Sequence, residues 1–547
     1  VSTRLRVEAE FSFVYSDTDK SYGNFQDGRY KNYNVLGMAY VKMPNVSVFE
    51  QDDFGNNTDK YYVIPRTSTL HADQRDLVNP VALANLHTNN SKNYRITPIF
   101  RLQYDLLDPD VNYLRYNAYF TFDASNSKNK LFWPWDATNE VWSSSAVNNS
   151  SGSDWQNTSF MIDNNLTWQP TFDNNDHNLT LYGSFQMRSA NSSSQGIGSY
   201  GIPSQSSFDP SQAATLADMY TSRGSSRGVG FLGRAHYSYK SRYIVSATLR
   251  RDGSTKFGTG SRWGNFPGVS VKWIISDEPF MDFAKGFVSM FAIRPNWGLS
   301  GREPGHDYLH YSRYANIGSY LGNTATVPTT LRLPDLKWET NSTFNYGADL
   351  AFLDDRFVFD FNAYNKRTYD LLFEKKLLPG TSGYENISWS NVGIMDNYGY
   401  ELNFYANKAI TAGKFSVDLN FNISNNINEI VDLDDAVLEQ LNPEFEYNNG
   451  KYLTRLEEGH SFGSIYGFKY KGVYQYDEYL EGVRENAPVA RDIQNRVLTD
   501  EMGEPLPMTF GYGTTSQYTF RGGDAIYEDI NHDGTIDELD IVYLGNS

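Results

Sequence analysis

Hydrophobic and polar residues alternate with a period of two along much of the chain. Between residues 5 and 15 the odd positions are apolar and the even positions mostly charged, and the alternation returns at 357–363, 401–406 and 415–423, with a weaker copy at 179–185. This period predicts β-strands with one apolar and one polar face. Several runs reach about nine to eleven residues, the length that a tilted strand needs to cross a bilayer.

The connections between these runs are of two kinds. Short polar turns are predicted at 240–242, 353–356 and 409–413, whereas long segments rich in Asn, Ser and Gly occupy about 136–154, 188–227 and 474–540. Short turns on one side and long extracellular loops on the other are typical of a bacterial outer-membrane barrel. The alternative is a β-sandwich or propeller, whose strands should be shorter and more evenly connected.

Composition narrows the class of protein further. The 547 residues include 40 Tyr, 34 Phe and 10 Trp, a set that suits aromatic girdles around a polar interior. The absence of cysteine excludes a disulfide scaffold and a thiolate metal site. The net charge of -18 argues against a nucleic-acid partner. Since no apolar run is long enough for a transmembrane helix, a soluble protein or a β-barrel is expected.

Three stretches carry a more specific pattern. The first comprises GFLGRAHYSYK at 230–240, YIVSATLRRDGS at 243–254 and FPGVSVKW at 266–273; the second runs from LPDLKWET at 333–340 to NYGYEL at 397–402; the third is GSIYGFKY at 463–470. Together they resemble the barrel of the SusC/RagA family of TonB-dependent outer-membrane transporters. The resemblance covers most of residues 228–547, and residues 1–227 fit by period and loop layout only.

The resemblance implies an all-β fold, a large antiparallel transmembrane β-barrel of which residues 1–547 are one segment. Barrels of this kind have about 22 strands around a plug, but we count roughly fourteen to sixteen strands and no plug in this chain. The chain is therefore expected to be a fragment of a protein roughly twice as long, because an open sheet leaves unpaired edges in lipid.

The functional expectations also come from the resemblance. It implies import of oligosaccharides or peptides across the bacterial outer membrane, with energy from a TonB complex that acts through an N-terminal region. A SusD-like surface lipoprotein would be the partner, and membrane lipid would surround the barrel. No catalytic residues are expected, since the chain shows neither a nucleophile elbow nor a P-loop.

One motif near the end of the chain predicts a calcium site. Residues 529–540 fit an EF-hand-type loop, with Gly534 at the sharp turn. The candidate ligands are Asp529, Asn531, Asp533, the Thr535 carbonyl, Asp537 and Asp540. Asp540 stands where an EF-hand has Glu, and its shorter side chain should weaken bidentate binding. The alternative is an Asx-rich turn that needs no metal.

A second candidate site is aromatic. Trp133 and Trp135 belong to the cluster FWPWD at 132–136, which could stack on a sugar ring or serve as a rim anchor or loop core. Both this cluster and a calcium loop would also fit a different class of protein, a secreted calcium-binding, glycan-active enzyme or adhesin of β-sandwich type. The transporter remains the favoured interpretation, since residues 541–544 after the single loop read as a strand.

Overall fold

The structure is a computed structural model, and every element named below lies in its described residues. These are 4–20, 35–65, 67–75, 77–107, 112–138, 147–202, 209–210, 215–378, 380–382, 384, 386–442, 453–478, 485–511 and 517–546. Within these ranges no helix has both the length and the apolar character needed to cross a membrane.

Thirteen long strands form one antiparallel sheet, in which strands adjacent in sequence are hydrogen-bonded neighbours. They are β1 (Leu5–Asp19), β2 (Thr88–Asp105), β3 (Tyr113–Trp133), β4 (Asn149–Gln169), β5 (His177–Tyr200), β6 (Thr215–Tyr239), β7 (Tyr243–Ser254), β8 (Trp263–Ile274), β9 (Val288–Arg302), β10 (Glu339–Phe352), β11 (Phe357–Tyr369), β12 (Gly393–Ala412) and β13 (Phe415–Leu433). The predicted all-β fold class is confirmed. The predicted strand count is too high for the described residues, because the chain after Leu433 forms only short strands outside this sheet.

The remaining elements are short and lie in the connections. The short strands are Phe49–Gln51, Asn57–Tyr61, Arg313–Tyr320, Asn323–Thr330, Leu372–Leu377, Asn386–Asn391, Leu453–Thr454, Ser464–Phe468, Tyr470–Val473, Thr509–Phe510, Tyr518–Thr519, Ala525–Tyr527, Thr535–Ile536 and Ile541–Asn546. The α-helices are α1 (Val35–Val41), α2 (Ala72–Arg75), α3 (Pro80–Leu86) and α4 (Asp435–Leu441). Short 3₁₀ helices occupy Ile275–Asp277, Pro279–Ala284, Gly380–Ser382 and Glu538–Asp540.

The chain divides into two compact units, and connection lengths alternate within each. Unit 1 comprises residues 1–171, 180–233 and 251–255, and unit 2 the rest. In unit 1 the segment 106–112 joins β2 to β3, whereas the longer segments 20–87 and 134–148 lie at the opposite strand ends. This asymmetry is the layout that the sequence predicts for an outer-membrane barrel.

Unit 2 repeats the asymmetry with tighter turns. The predicted turns at 240–242 and 353–356 are confirmed, and both contain residues with positive φ. The turn predicted at 409–413 is shorter, because Ala412 still pairs with Phe415 and only 413–414 remain outside the strands. The opposite strand ends carry the long segments 303–338 and 370–392.

The strands of unit 2 have one apolar and one polar face. On the apolar face Phe361 pairs with Ala348 on one side and Leu402 on the other. On the polar face the Arg294 guanidinium donates to Asp349 at 2.8 Å and to Asp360 at 2.9 Å. Exposed apolar side chains in a continuous band require an apolar surrounding, and paired charges suit a polar barrel interior.

The sheet of unit 1 also has an apolar face, which carries a band of apolar side chains, and a polar face. Phe13 pairs with Ile96, which in turn pairs with Ala124. On the opposite face Arg101 donates to Glu10 at 3.0 Å. The predicted alternation from residue 5 therefore places apolar side chains on one surface of the sheet.

Three strands of unit 1 continue well beyond this apolar band. Residues 125–133 of β3, 149–158 of β4 and 189–200 of β5 remain paired up to Trp133–Asn149 and Ser150–Ser199. Their side chains are mostly Ser, Asn, Gln, Gly and Lys on both faces. We call these residues the projecting wall; at about 3.3 Å per residue they extend roughly 25 Å past the apolar band.

The projecting wall corrects two of the predicted loops. The loops predicted at 136–154 and 188–227 are strand at 149–154, 188–200 and 215–227. Within what is left of them, residues 139–146, 203–208 and 211–214 lie outside the described residues. The prediction failed because alternation of apolar residues disappears where both faces are polar, whereas backbone hydrogen bonding continues.

The buried cores lie mainly in the connections and at the strand ends. In unit 1, α1, α3 and the end of β3 enclose a cluster of Val35, Met38, Leu77, Val78, Leu83, Trp133 and Val147. Helix α3 is anchored there by its N-cap, since Asn79 Oδ1 accepts from the backbone N–H of Val81 and Ala82 at 3.1 Å. Such a cap contributes about 1 kcal/mol to helix stability.

The last part of unit 2 folds around a core of its own. We call residues 464–478, 485–511 and 517–546 the loop module. Its core contains Tyr474, Ala490, Met508, Phe520 and Ile536, with partly buried neighbours that include Phe468 and Phe510. Of the loop predicted at 474–540, residues 479–484 and 512–516 lie outside the described residues, and the rest contains short strands around this core.

Candidate functional site

The predicted calcium loop, residues 529–540, is held tightly within the loop module. Thr535–Ile536 pairs in parallel with Thr509–Phe510, and Thr509 donates its backbone N–H to the Gly534 carbonyl at 2.9 Å. The Ile536 side chain is fully buried in the module core. The loop is therefore part of the packed structure of the module.

The sharp turn of the loop depends on glycine. Gly534 has a φ of +87°, and a Cβ added there would lie 2.6 Å from the Ala490 Cβ. Both features disfavour any larger residue, since positive φ is costly for side chains other than glycine. The expected role of Gly534 at the turn agrees with this geometry.

The first half of the loop directs its polar oxygens inward. Asp529 Oδ2 accepts from the Gly534 N–H at 2.9 Å, and Asp533 Oδ1 accepts from the Thr535 N–H at 2.8 Å. Asn531 Oδ1 accepts from the Asp533 N–H at 3.1 Å. The second carboxylate oxygen of Asp529 is buried and makes no hydrogen bond, which leaves it available to a cation.

The second half of the loop buries a carboxylate. Asp540 is completely buried, and its two oxygens accept from the N–H groups of Ile530 at 2.7 Å and Asp537 at 2.9 Å. Burial raises the pKa of Asp540, and the charges of Asp529 and Asp537 raise it further. A divalent cation among these groups would supply the positive charge that they lack.

The donor set fits calcium by type. Carboxylate, amide and main-chain oxygens are the ligands that Ca²⁺ prefers. The candidate ligands follow one another along the loop in the order of the EF-hand positions. Across the described residues, however, no three His, Asp or Glu side chains converge as a metal site. A cation in this loop would therefore also depend on the Asn531 amide and the Thr535 carbonyl, with carboxylates turned from their present hydrogen bonds.

The aromatic candidates separate in the structure. Trp133 is only 3% exposed and packs in the unit 1 cluster, with the His87 ring edge-on at 5.6 Å. Trp133 therefore belongs to a loop core, which was the alternative to sugar stacking, and its sugar-stacking role stays a prediction. Trp135 remains 41% exposed, and its binding role stays a prediction.

The structure also shows a polar cavity in unit 1 that the sequence did not indicate. It measures about 810 Å³ and lies against the ends of β1 to β4, lined by Asp19, Lys20, Asn89, Asn129, Lys130, Leu131, Ser151 and Ser153. Trp155 lies two residues from Ser153 on the same strand face, and its ring is 43% exposed. The sequence signal for this site is Trp155, a lone tryptophan in a Ser- and Asn-rich stretch. The sequence pattern does not single it out, because it directly follows the loop predicted at 136–154.

The apolar band, the polar opposite face and the unequal connections define the class: an outer-membrane β-barrel. A model of the TonB dependent receptor-like β-barrel family matches residues 10–522. The chain belongs to that family. The match extends through residues 10–227, where the sequence pattern gave only period and layout.

Known proteins agree with this assignment. TonB-dependent receptor P39 of Formosa agariphila is 34% identical over 57% of this chain and 29% of the relative. TonB-dependent receptor SusC of Bacteroides thetaiotaomicron is 32% identical over 46% of this chain and 25% of the relative. The chain spans about half the length of these relatives, and the aligned part covers 29% and 25% of them.

A solved structure extends the likeness to the fold. The RagAB peptide transporter structure matches with a TM-score of 0.67 and 17% identity, over 97% of this chain and 53% of that chain. The predicted resemblance to SusC and RagA is confirmed, and so is an outer-membrane location. The relatives carry the names of TonB-dependent receptors, and the family match overturns the alternative of a secreted, calcium-binding, glycan-active enzyme or adhesin of β-sandwich type.

Proposed function

We propose that the protein imports oligosaccharides or peptides across the outer membrane, driven by a TonB complex and assisted by a SusD-like surface lipoprotein. The family match over residues 10–522 is the observation that carries this proposal. The likeness to SusC and to the RagAB peptide transporter supports the partner, and the name of the latter supports peptides among the substrates. The polar face of the sheet supports passage of a hydrated substrate, since it lines the barrel interior with charged and amide groups.

Uptake by cells tests the proposal. A strain that depends on the full-length protein for growth on a defined oligosaccharide or peptide should lose growth when the gene for TonB is deleted or the proton gradient is collapsed. Affinity purification of the full-length protein from this strain should also recover a lipoprotein in equal amount. Uptake that persists without TonB would contradict energy coupling, and purification without any lipoprotein would contradict the partner.

We also propose that residues 529–540 bind Ca²⁺. The ligands would be Asp529, Asn531, Asp533, the Thr535 carbonyl, Asp537 and Asp540, and the ion would neutralise the buried carboxylates and crosslink the loop. The buried, unbonded oxygen of Asp529 supports this proposal most directly.

Calcium titration of the full-length protein in detergent tests the metal site. Asp533→Ala should weaken calcium binding by about tenfold or more, because one charged ligand is lost. Asp500→Ala is the matched control: Asp500 also accepts from two backbone N–H groups of the module, at 2.8 and 2.9 Å, but lies outside the loop. Equal calcium affinity in wild type and Asp533→Ala would contradict the site.

A further inference from the structure

Two exposed aromatic rings lie on the polar face of unit 1, one on the projecting wall and one on the strand β6 (Thr215–Tyr239). Trp155 is 43% and Tyr220 47% exposed. On this face Ser153 pairs with Gly196 and Trp155 with Ser194, so Trp155 is a diagonal neighbour of Gly196. The Tyr220 ring lies directly on Gly196, since a Cβ there would be 2.4 Å from its Cε1 atom. The two rings therefore occupy neighbouring positions on one surface.

Hydrogen-bonding groups continue from these rings into the 810 Å³ cavity. Trp155 is flanked along its strand by Ser153, and Ser153 pairs across the sheet with Asn129. Asn129 Nδ2 donates to Ser153 Oγ at 3.4 Å, a long bond that leaves both groups with further capacity. Asn89 and Ser151 complete a surface of amides and hydroxyls beside the rings.

The chemistry of this surface distinguishes between ligand classes. Aromatic faces beside amides and hydroxyls suit a sugar ring, which has apolar C–H faces and hydroxyl edges. One common mode of recognition for an extended peptide uses free backbone groups at a sheet edge. Strands β3 and β4 have no such edge here, because each is paired on both sides. The charges at the cavity, those of Asp19, Lys20 and Lys130, are of mixed sign and favour a neutral ligand.

We propose that this surface binds a neutral oligosaccharide, with Trp155 and Tyr220 stacked on successive sugar rings and Asn129, Ser151 and Ser153 bonded to their hydroxyls. The proposal rests on the proposed import function, because the polar face lines the interior of the barrel that the substrate would enter. It assigns the binding role to Trp155 and Tyr220 and not to Trp133, which is buried.

Binding assays on the full-length protein in detergent test this site. A glycan array of neutral and acidic oligosaccharides, together with a peptide array, should retain neutral glycans preferentially. Trp155→Ala and Tyr220→Ala should each weaken binding of the best neutral glycan by about tenfold or more. Trp168→Ala is the matched control, since Trp168 lies on the apolar face of the same strand and is 39% exposed; its affinity should equal that of wild type.

A second variant tests the arrangement of the rings without removing either. Gly196→Ala places a methyl group where the Tyr220 ring now lies and should displace it, so glycan affinity should fall while strand pairing is kept. Glycan binding should also shift the fluorescence of wild type but much less that of Trp155→Ala. Unchanged glycan affinity in Trp155→Ala, preferential retention of peptides, or no retained glycan would each overturn the site.

Failure of this site and failure of import are distinguishable. If Trp155→Ala binds glycan normally while uptake still requires TonB, the site is wrong and the import function stands. If Trp155→Ala loses binding but uptake does not require TonB, the site stands and the import function is wrong.

Discussion

The long sheet and the loop module use the same residue types in opposite ways. Phe421 in β13 is 57% exposed, whereas Phe520 in the loop module is 6% exposed. In the sheet, the exposed apolar side chains require an apolar environment, which lipid provides. Charged side chains form ion pairs on the opposite face. In the module, aromatic rings pack against each other and polar groups face water. The contrast shows which part of unit 2 folds against lipid and which part folds against itself.

The largest expected effect concerns the module core. Phe520→Ala should cost about 3–5 kcal/mol of module stability, because its ring contacts Tyr474, Phe510 and Tyr527. Limited proteolysis of the full-length protein should then cleave the module, while the barrel keeps its heat-modifiable mobility on gels. Ile493→Ala, at a position 75% exposed, is the control and should change little. Loss of the barrel in Phe520→Ala would show that the two regions do not fold independently.

The next effect concerns the two faces of the sheet. Phe404→Arg should destabilise the folded barrel by about 2–4 kcal/mol, because it places a charge in lipid. Asn403→Arg, one residue away on the polar face and opposite Asp360, should be tolerated. Urea titration in bilayers measures both. Equal destabilisation by the two substitutions would contradict the assignment of the faces.

The stability of the buried cluster in unit 1 should depend on pH through His87. Burial lowers the pKa of His87 to about 4, although the charge of Asp19 opposes this. The unfolded chain binds a proton near pH 6.5 and the folded one only near pH 4. Cluster stability should therefore fall by about 3 kcal/mol as pH decreases through this window. Hydrogen exchange of α1 and α3 should report it, and His87→Gln should flatten the profile. A wild-type profile as flat as that of His87→Gln would contradict the buried neutral imidazole.

The smallest expected effect concerns the glycine turn of the loop module. Gly534→Ala should cost about 1–3 kcal/mol, since alanine meets both a positive φ and the Ala490 side chain. Gly503→Ala is the control, with a φ of +84° but nothing within 4 Å of the added Cβ. Thermal melting of the module should show a larger loss for Gly534→Ala. Equal losses would mean that backbone strain alone, and not contact with Ala490, determines the cost.

The fold was predictable where the alternation of apolar residues is complete. Strands β11 and β13 begin at Phe357 and Phe415, where the pattern begins. The projecting wall was missed because Ser and Asn on both faces give no periodic signal, and its pairing is fixed by neighbouring strands. Trp133 and Trp155 show the same limit, since packing of the distant α1 and α3 segments buries one ring and leaves the other exposed.

In the calcium loop, the sharp turn was predictable from the sequence, because Gly534 adopts a positive φ that is favourable only for glycine. Burial of Asp540 was not, because it results from packing of the whole module. The pairing of residues 535–536 with 509–510 joins segments that are distant in sequence, and local patterns do not indicate it.

A nitroxide scan of residues 400–406 in β12 tests the central claim most directly. Single cysteines can be introduced into a chain that has none, labelled, and measured for oxygen accessibility in bilayers. Because oxygen concentrates in the hydrocarbon, we predict maxima at Tyr400, Leu402 and Phe404 and minima at Glu401 and Asn403. An oxygen accessibility without a period of two, or with its maxima at Glu401 and Asn403, would contradict the barrel that we describe.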